Sequence, residues 1–292
     1  IMYVQTYEDE NATAQSPVVE KGKAKGMTEL QAKILGKSFD YISSNPVAWI
    51  QIGKMNFKTG IPSALPNVEG ADLYGATVHE LGHALGIYGT ADFDENKKQA
   101  KFGDVLTVFD EGLIDNKGRK VSETTGVIAY RDTNGNVVGN PNTDFDASEN
   151  VYFTGKNVAE VLKDSSLKGV PINTRLEGGK TPVPELSHLE MDRGLMSHHP
   201  YSNYSTFMEA ELAVLQDIGY NIDRKNFFGY SVYGSNLNIN NDNGYFLRDE
   251  KGEKYIVGKA NTASYGIGLH VYGNNNKIVQ KADLLTSGTV GT

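Results

Sequence analysis

Two histidines four residues apart, His79 and His83, with Glu80 beside the first, are the residues of this chain best suited to chemistry. In an α-helix, residues at i and i+4 share one face. Two imidazole nitrogens can then aim at a single Zn²⁺ ion. Glu80 projects beside that face, within reach of a water on the metal. Zinc lowers the pKa of such a water to about 7, and a neighbouring carboxylate can accept its proton as general base. Chance would produce H-E-x-x-H in about one chain of this length per hundred.

The helix that carries the motif should begin near Leu73 or Gly75. Val78, Leu81 and Leu85 form an apolar stripe away from the ligands, Gly82 and Ala84 remove bulk near the site, and Gly86 is suited to a left-handed stop. Upstream, Thr28 to Gln31 reads as a capping box. It opens a helix to about Ser43 with Leu30, Ile34, Leu35, Phe39 and Ile42 inward, stopped at Asn45-Pro46. Ala48 to Phe57 alternates as a strand, whose edge can pair with an extended substrate.

Composition narrows the classes. With 292 residues the chain holds one large domain, or a domain and an appendage. A net charge of −8 argues against nucleic-acid binding. No run approaches the ~18 apolar residues of a membrane helix. Cysteine is absent, which excludes disulfides, thiolate zinc sites and cysteine catalysis within the segment. The 16 tyrosines and 32 glycines favour an exported protein.

Residues from about 90 to 185 form an insertion with the texture of short hairpins: Val105 to Phe109, Asn116 to Gly118, Val127 to Tyr130 and Asn134-Gly135. Asp132 to Asn136 has the start of a calcium loop. Val137 occupies the position where such a loop requires Gly, so a type I′ turn at Asn134-Gly135 is the expectation. A second capping box, Thr206 to Glu209, should open a helix to Asp217 closed by Gly219. Beyond Asn226, short apolar pairs separated by Gly and Asn suggest a β-rich, solenoid-like segment.

A catalytic zinc needs a third protein ligand. Here the chain resembles the metzincin clan of zinc endopeptidases, where a third His usually follows three residues after the glycine. Gly89 occupies that position in this chain. Leishmanolysin-like metalloproteases and their bacterial relatives carry a long insertion first. Their third His lies in a Ser-His segment, followed by a Leu-Met pair that forms the Met-turn. Ser187-His188 and Leu195-Met196 match those pieces, and Glu211 to Tyr220 is similar to the helix that ends such domains. Phe109 to Asp115 and Phe153 to Ala159 also look like segments of the bacterial relatives. The resemblance covers residues 28 to 222. It implies zinc on His79, His83 and His188, with Met196 packed below the site. It also implies an oxyanion contact from Tyr201 or Tyr204. Two alternatives stay open: Asp110 or Glu111 as third ligand, in the manner of thermolysin-like enzymes, and His198 or His199 at the cleft. His270 is expected to be structural or exposed.

The resulting expectation is an α+β protein. A metzincin-like catalytic domain over residues 1–226, with a mixed sheet, an active-site helix and a C-terminal helix, precedes a solenoid-like segment over 227–292. The tail is similar to the passenger region of bacterial autotransporters. The expected function is a monomeric zinc endopeptidase of extracellular proteins, secreted by or displayed on a bacterium. The rival is a surface adhesin or scaffold whose peptidase-like domain only binds.

Overall fold

The computed structural model describes residues 2–6, 12–38, 46–54, 57–58, 71–174, 184–198, 206–245, 265–286 and 290–291. Strand β1 (Met2–Thr6) pairs in parallel with β3 (Ala48–Ile52), and β2 (Ala12–Gln15) pairs with the other side of β3 in antiparallel fashion. In β3, Ala48, Ile50 and Ile52 are buried, as strict alternation requires. The strand expected to offer a free edge is thus the central one, with both edges already paired.

Helix α1 (Glu29–Ile34) opens on the expected box: Thr28 Oγ1 accepts from Gln31 N at 3.1 Å, and Thr28 N donates to Gln31 Oε1 at 3.3 Å. It ends well before Ser43. Gly36 N donates to Lys33 O and Lys37 N to Ala32 O, the paired bonds of a Schellman stop. Its inward residues are Glu29, Gln31 and Ala32, while Ile34 is 55% exposed. Phe39, Ile42 and Asn45 lie outside the described residues.

A short parallel pair, β4 (Phe57–Lys58) and β5 (Ala71–Asp72), leads into α2 (Leu73–Ala84), which packs against β2 and β3. Val78, Leu81 and Leu85 are only half-buried. The helix is buried instead at Gly75, Gly82 and Ala84, whose small side chains permit close approach, and at Glu80.

The insertion contains two antiparallel sheets. One joins β6 (Asp92–Asp94), β7 (Gln99–Lys101), β9 (Val127–Arg131) and β10 (Val137–Val138); the other joins β8 (Leu113–Ile114), β11 (Val151–Phe153) and β12 (Val170–Ile172). The turn between β9 and β10 is not of type I′. Only Gly135 takes positive φ, at 88°, and Asp132 Oδ1 accepts from Asn134 N and Asn136 N. Val105 to Phe109 forms no strand, because Thr107 and Asp110 bond each other reciprocally and wind the chain into a 3₁₀ turn. A helix that the hairpin pattern does not suggest, α3 (Lys156–Val161), packs against α4 (Glu209–Asp217).

Helix α4 begins two residues later than the expected box. Glu211, not Glu209, reaches back to the first turn, its Oε2 accepting from Met208 N at 2.7 Å. The helix stops at Gly219 as expected, with φ +117° there. After it, β13 (Phe228–Val232), β15 (Tyr265–Val271) and β17 (Val290–Gly291) pair in parallel, as do β14 (Asn238–Asn241) and β16 (Lys277–Gln280). One apolar core runs from Ile87 through Phe109, Phe153, Leu189 and Met196 to α4, and continues across residue 226 to Phe228 and Tyr233. The whole is a mixed α+β structure of small sheets and few helices. Among the described residues no helix is long and apolar enough to cross a membrane.

Candidate metal centre

The end of α2 is braced from several sides. Gly86 N donates to His83 O and Ile87 N to Gly82 O, with Gly86 at φ +105°. Two carbonyls that a helix end leaves without partners accept side-chain hydroxyls: Thr28 Oγ1 donates to Ala84 O at 2.7 Å and Tyr220 Oη to Leu85 O at 2.8 Å. Elements far apart in sequence thus fix the turn that carries His83.

His79 and His83 stand one turn apart with their Nε2 atoms 3.1 Å from each other. The other nitrogen of each ring is committed. His79 Nδ1 lies 2.6 Å from Leu195 O, and His83 Nδ1 lies 2.8 Å from Ile87 O. A carbonyl accepts only from a protonated nitrogen, so each Nδ1 carries the hydrogen and each Nε2 presents a lone pair.

The third histidine arrives 105 residues after His83, with its Nε2 3.2 Å from that of His83. Its Nδ1 lies 2.9 Å from Glu185 Oε2. Gly89 is where the insertion returns. Gly89 N donates to Ser187 Oγ and Ser187 Oγ donates to Gly89 O, both at 3.1 Å. A Cβ on Gly89 would stand 2.6 Å from Leu186 O, so any larger residue forces the backbone to shift. Leu186 takes φ +59°, a conformation unfavourable to a branched side chain; its complete burial and its bond to Asn173 O hold it there.

Met196 completes the floor. It is fully buried, and a Cβ on Gly82 would overlap its Sδ, so the methionine packs directly beneath the helix between the two histidines. The turn that bears it hangs on Glu211, itself wholly buried. Glu211 Oε1 accepts from Met196 N at 2.8 Å, and Oε2 accepts from Leu195 N at 3.2 Å. The carbonyl of that same Leu195 holds His79. Helix α4 therefore reaches the cluster through one residue.

Burial dominates the electrostatics. It lowers the His79 pKa, and with the neighbouring rings it drives His83 and His188 well below the usual value, so all three are neutral. The His188–Glu185 contact is accordingly a hydrogen bond donated by a neutral ring, not an ion pair. Glu80, 6% exposed, is pushed up to about 7 by burial alone and carries no hydrogen bond or ion pair among the described residues. Burial lifts Glu211 to about 7 against the three amides that pull it down.

His79, His83 and His188 can hold a metal ion. Among the described residues they are the one group of three or more His, Asp or Glu whose donor atoms converge, all within 4.8 Å of one another. Three nitrogens about 2.0–2.1 Å from a tetrahedral ion would lie ~3.3 Å apart, close to the two separations found. Asp110 is committed elsewhere: its carboxylate accepts from Thr90 N, Thr90 Oγ1 and Thr107 N, and Glu111 is exposed. The ring of His198 lies 4.7 Å from that of His188, at the exposed side of the cluster. His270 is outside it, packed against Phe228 and Tyr233 and pushed down to about 4 by burial. His199, Tyr201 and Tyr204 lie outside the described residues.

Sequence reasoning missed Glu185, Ser187 as a clamp, and Glu211. The signals were faint: an acid three residues before a candidate ligand, and an acid three residues after a helix start. Comparison of the chain with protein-family models, with curated proteins and with solved structures finds no match, so the reading of this site rests on its own geometry.

Proposed function

We propose that this chain is a zinc-dependent endopeptidase of metzincin type, with His79, His83 and His188 as ligands and Glu80 as general base. The observation that carries the reading is Glu80. A site built only to hold a metal has no use for a buried carboxylate, unpaired among the described residues, on the residue next to a ligand, and a hydrolase does. A bound Zn²⁺ would supply a Lewis acid that polarises a substrate carbonyl and acidifies water. Glu80 takes the proton from the attacking water on its carboxylate and later delivers it to the leaving amine nitrogen. Met196 keeps the floor apolar and binds nothing.

The substrates are extended stretches of protein. With β3 enclosed, the strands left to pair with a substrate backbone are β1 and β2, through their outer edges. The parallel pairs β13–β15 and β14–β16 join residues 39 apart, whereas β15–β17 joins residues 25 apart. The shared 39-residue spacing supports a solenoid-like reading of the segment after residue 226, and with it an exported, surface-associated protein. The division at 226/227 is then one of architecture and not of core, since Phe228 and Tyr233 are buried with the catalytic part. Digestion of a peptide library with and without chelator tests the proposal. Cleavage that vanishes with chelation and returns with zinc supports it. A zinc-loaded protein that cleaves nothing favours the binding-only scaffold.

A further inference from the structure

A carboxylate other than that of Glu80 touches the cluster. Glu80 follows His79 on α2. Glu185 Oε2 lies 2.9 Å from His188 Nδ1, with 17% of the Glu185 side chain and 14% of the His188 side chain exposed. Among the described residues neither acid has a lysine or arginine partner.

The two carboxylates also differ in how they relate to the rings. His79 and His83 donate through Nδ1 to the neutral carbonyls of Leu195 and Ile87, whereas His188 donates to a carboxylate. A carboxylate acceptor orients a ligating imidazole and makes its free nitrogen a stronger donor.

We infer that Glu185 is the outer carboxylate of the metal centre: it accepts from His188 Nδ1, fixes the orientation of that ring and makes its Nε2 a stronger donor to a divalent ion. The inference rests on reading the three histidines as a metal site, not on the peptidase chemistry. Glu185 touches no reacting atom, so it is a positioning residue. Its carboxylate comes to His188 because Leu186 turns at positive φ and Ser187 is clamped to Gly89, which folds residue 185 back over the ring of residue 188.

The experiment compares Zn²⁺ affinity, measured by competition with a chromophoric chelator, in the wild-type chain and three variants. Glu185→Gln keeps an oxygen for Nδ1–H but removes the charge, Glu185→Ala removes both, and Glu185→Asp restores the charge one methylene farther away. Glu185→Gln should lose about 10- to 100-fold in affinity, the range for losing an outer-shell partner. Glu185→Ala should lose at least as much, and Glu185→Asp should recover part of the loss. The melting temperature of the metal-free Gln variant should match wild type. Its Co²⁺ derivative should keep a strong tetrahedral visible band, showing that the three-histidine set is intact.

Wild-type affinity in Glu185→Gln, or an Asp variant no better than Gln, overturns the inference that a carboxylate acceptor on His188 matters. So does a Co²⁺ band that weakens to a six-coordinate form, since the ligand set would then have broken. A wild-type chain that binds no Zn²⁺ removes the metal site and this inference together. One that binds Zn²⁺ yet cleaves no peptide sinks only the peptidase reading.

Discussion

Replacing Glu211 with glutamine should change how stability depends on pH, and the size of the change follows from its surroundings. The carboxyl is wholly buried and accepts from the amides of Leu195, Met196 and Met208. Burial outweighs those donors and raises it from 4.5 to about 7. The folded form therefore holds a proton that the unfolded chain releases. Such a group contributes its full stabilisation below the unfolded value near 4.5, and that contribution is lost as pH rises to about 7. At about 1.4 kcal/mol for each tenfold, the loss amounts to about 3 kcal/mol. Glutamine has nearly the shape of the protonated acid and does not titrate. The stability difference between variant and wild type should thus move by about 3 kcal/mol in favour of Glu211→Gln between pH 4.5 and 8. Urea denaturation of the two metal-free proteins across that range measures it. Asp110 and Glu80, also raised by burial, are common to both chains and cancel in the difference. Parallel stability curves would refute the reasoning. Glu211→Ala is a poorer probe: three orphaned buried amides would cost about 3–9 kcal/mol, as much as a whole domain's stability.

Two further perturbations test the cluster. His188→Ala should abolish tight zinc binding and remove the thermal stabilisation that zinc confers on the wild-type chain, whereas His198→Ala should do neither; calorimetry with and without zinc distinguishes them. Gly89→Ala should destabilise the metal-free protein by about 1–3 kcal/mol, because its methyl group meets backbone and not a yielding side chain. Zinc affinity should fall with it, since Ser187 loses its clamp; denaturation with full stability would show that Leu186 can move aside.

The parts of the site that could be read in the sequence are those governed by local geometry. His79, Glu80 and His83 follow from helical spacing, and Gly86 and Gly219 stop their helices because only glycine takes positive φ without strain. His188 was legible only through the Ser-His and Leu-Met pieces, since nothing local reports a contact across 105 residues. Glu185 and Glu211 were hidden for the same reason: each acts on a backbone or ring brought to it by the fold. Val105 to Phe109 looked like a strand because its apolar residues alternate, yet the Thr107–Asp110 bonds wind it into a turn. The central place of β3 depends on pairing with two N-terminal strands whose own pattern is weak.

The most direct test of the central claim is peptide cleavage by Glu80→Gln at zinc loading matched to wild type. The substitution leaves His79, His83 and His188 untouched and removes only the group that moves the proton. Zinc content should stay the same while turnover falls by at least ~10², the scale of general-base loss. Near-normal cleavage by fully loaded Glu80→Gln would contradict the account.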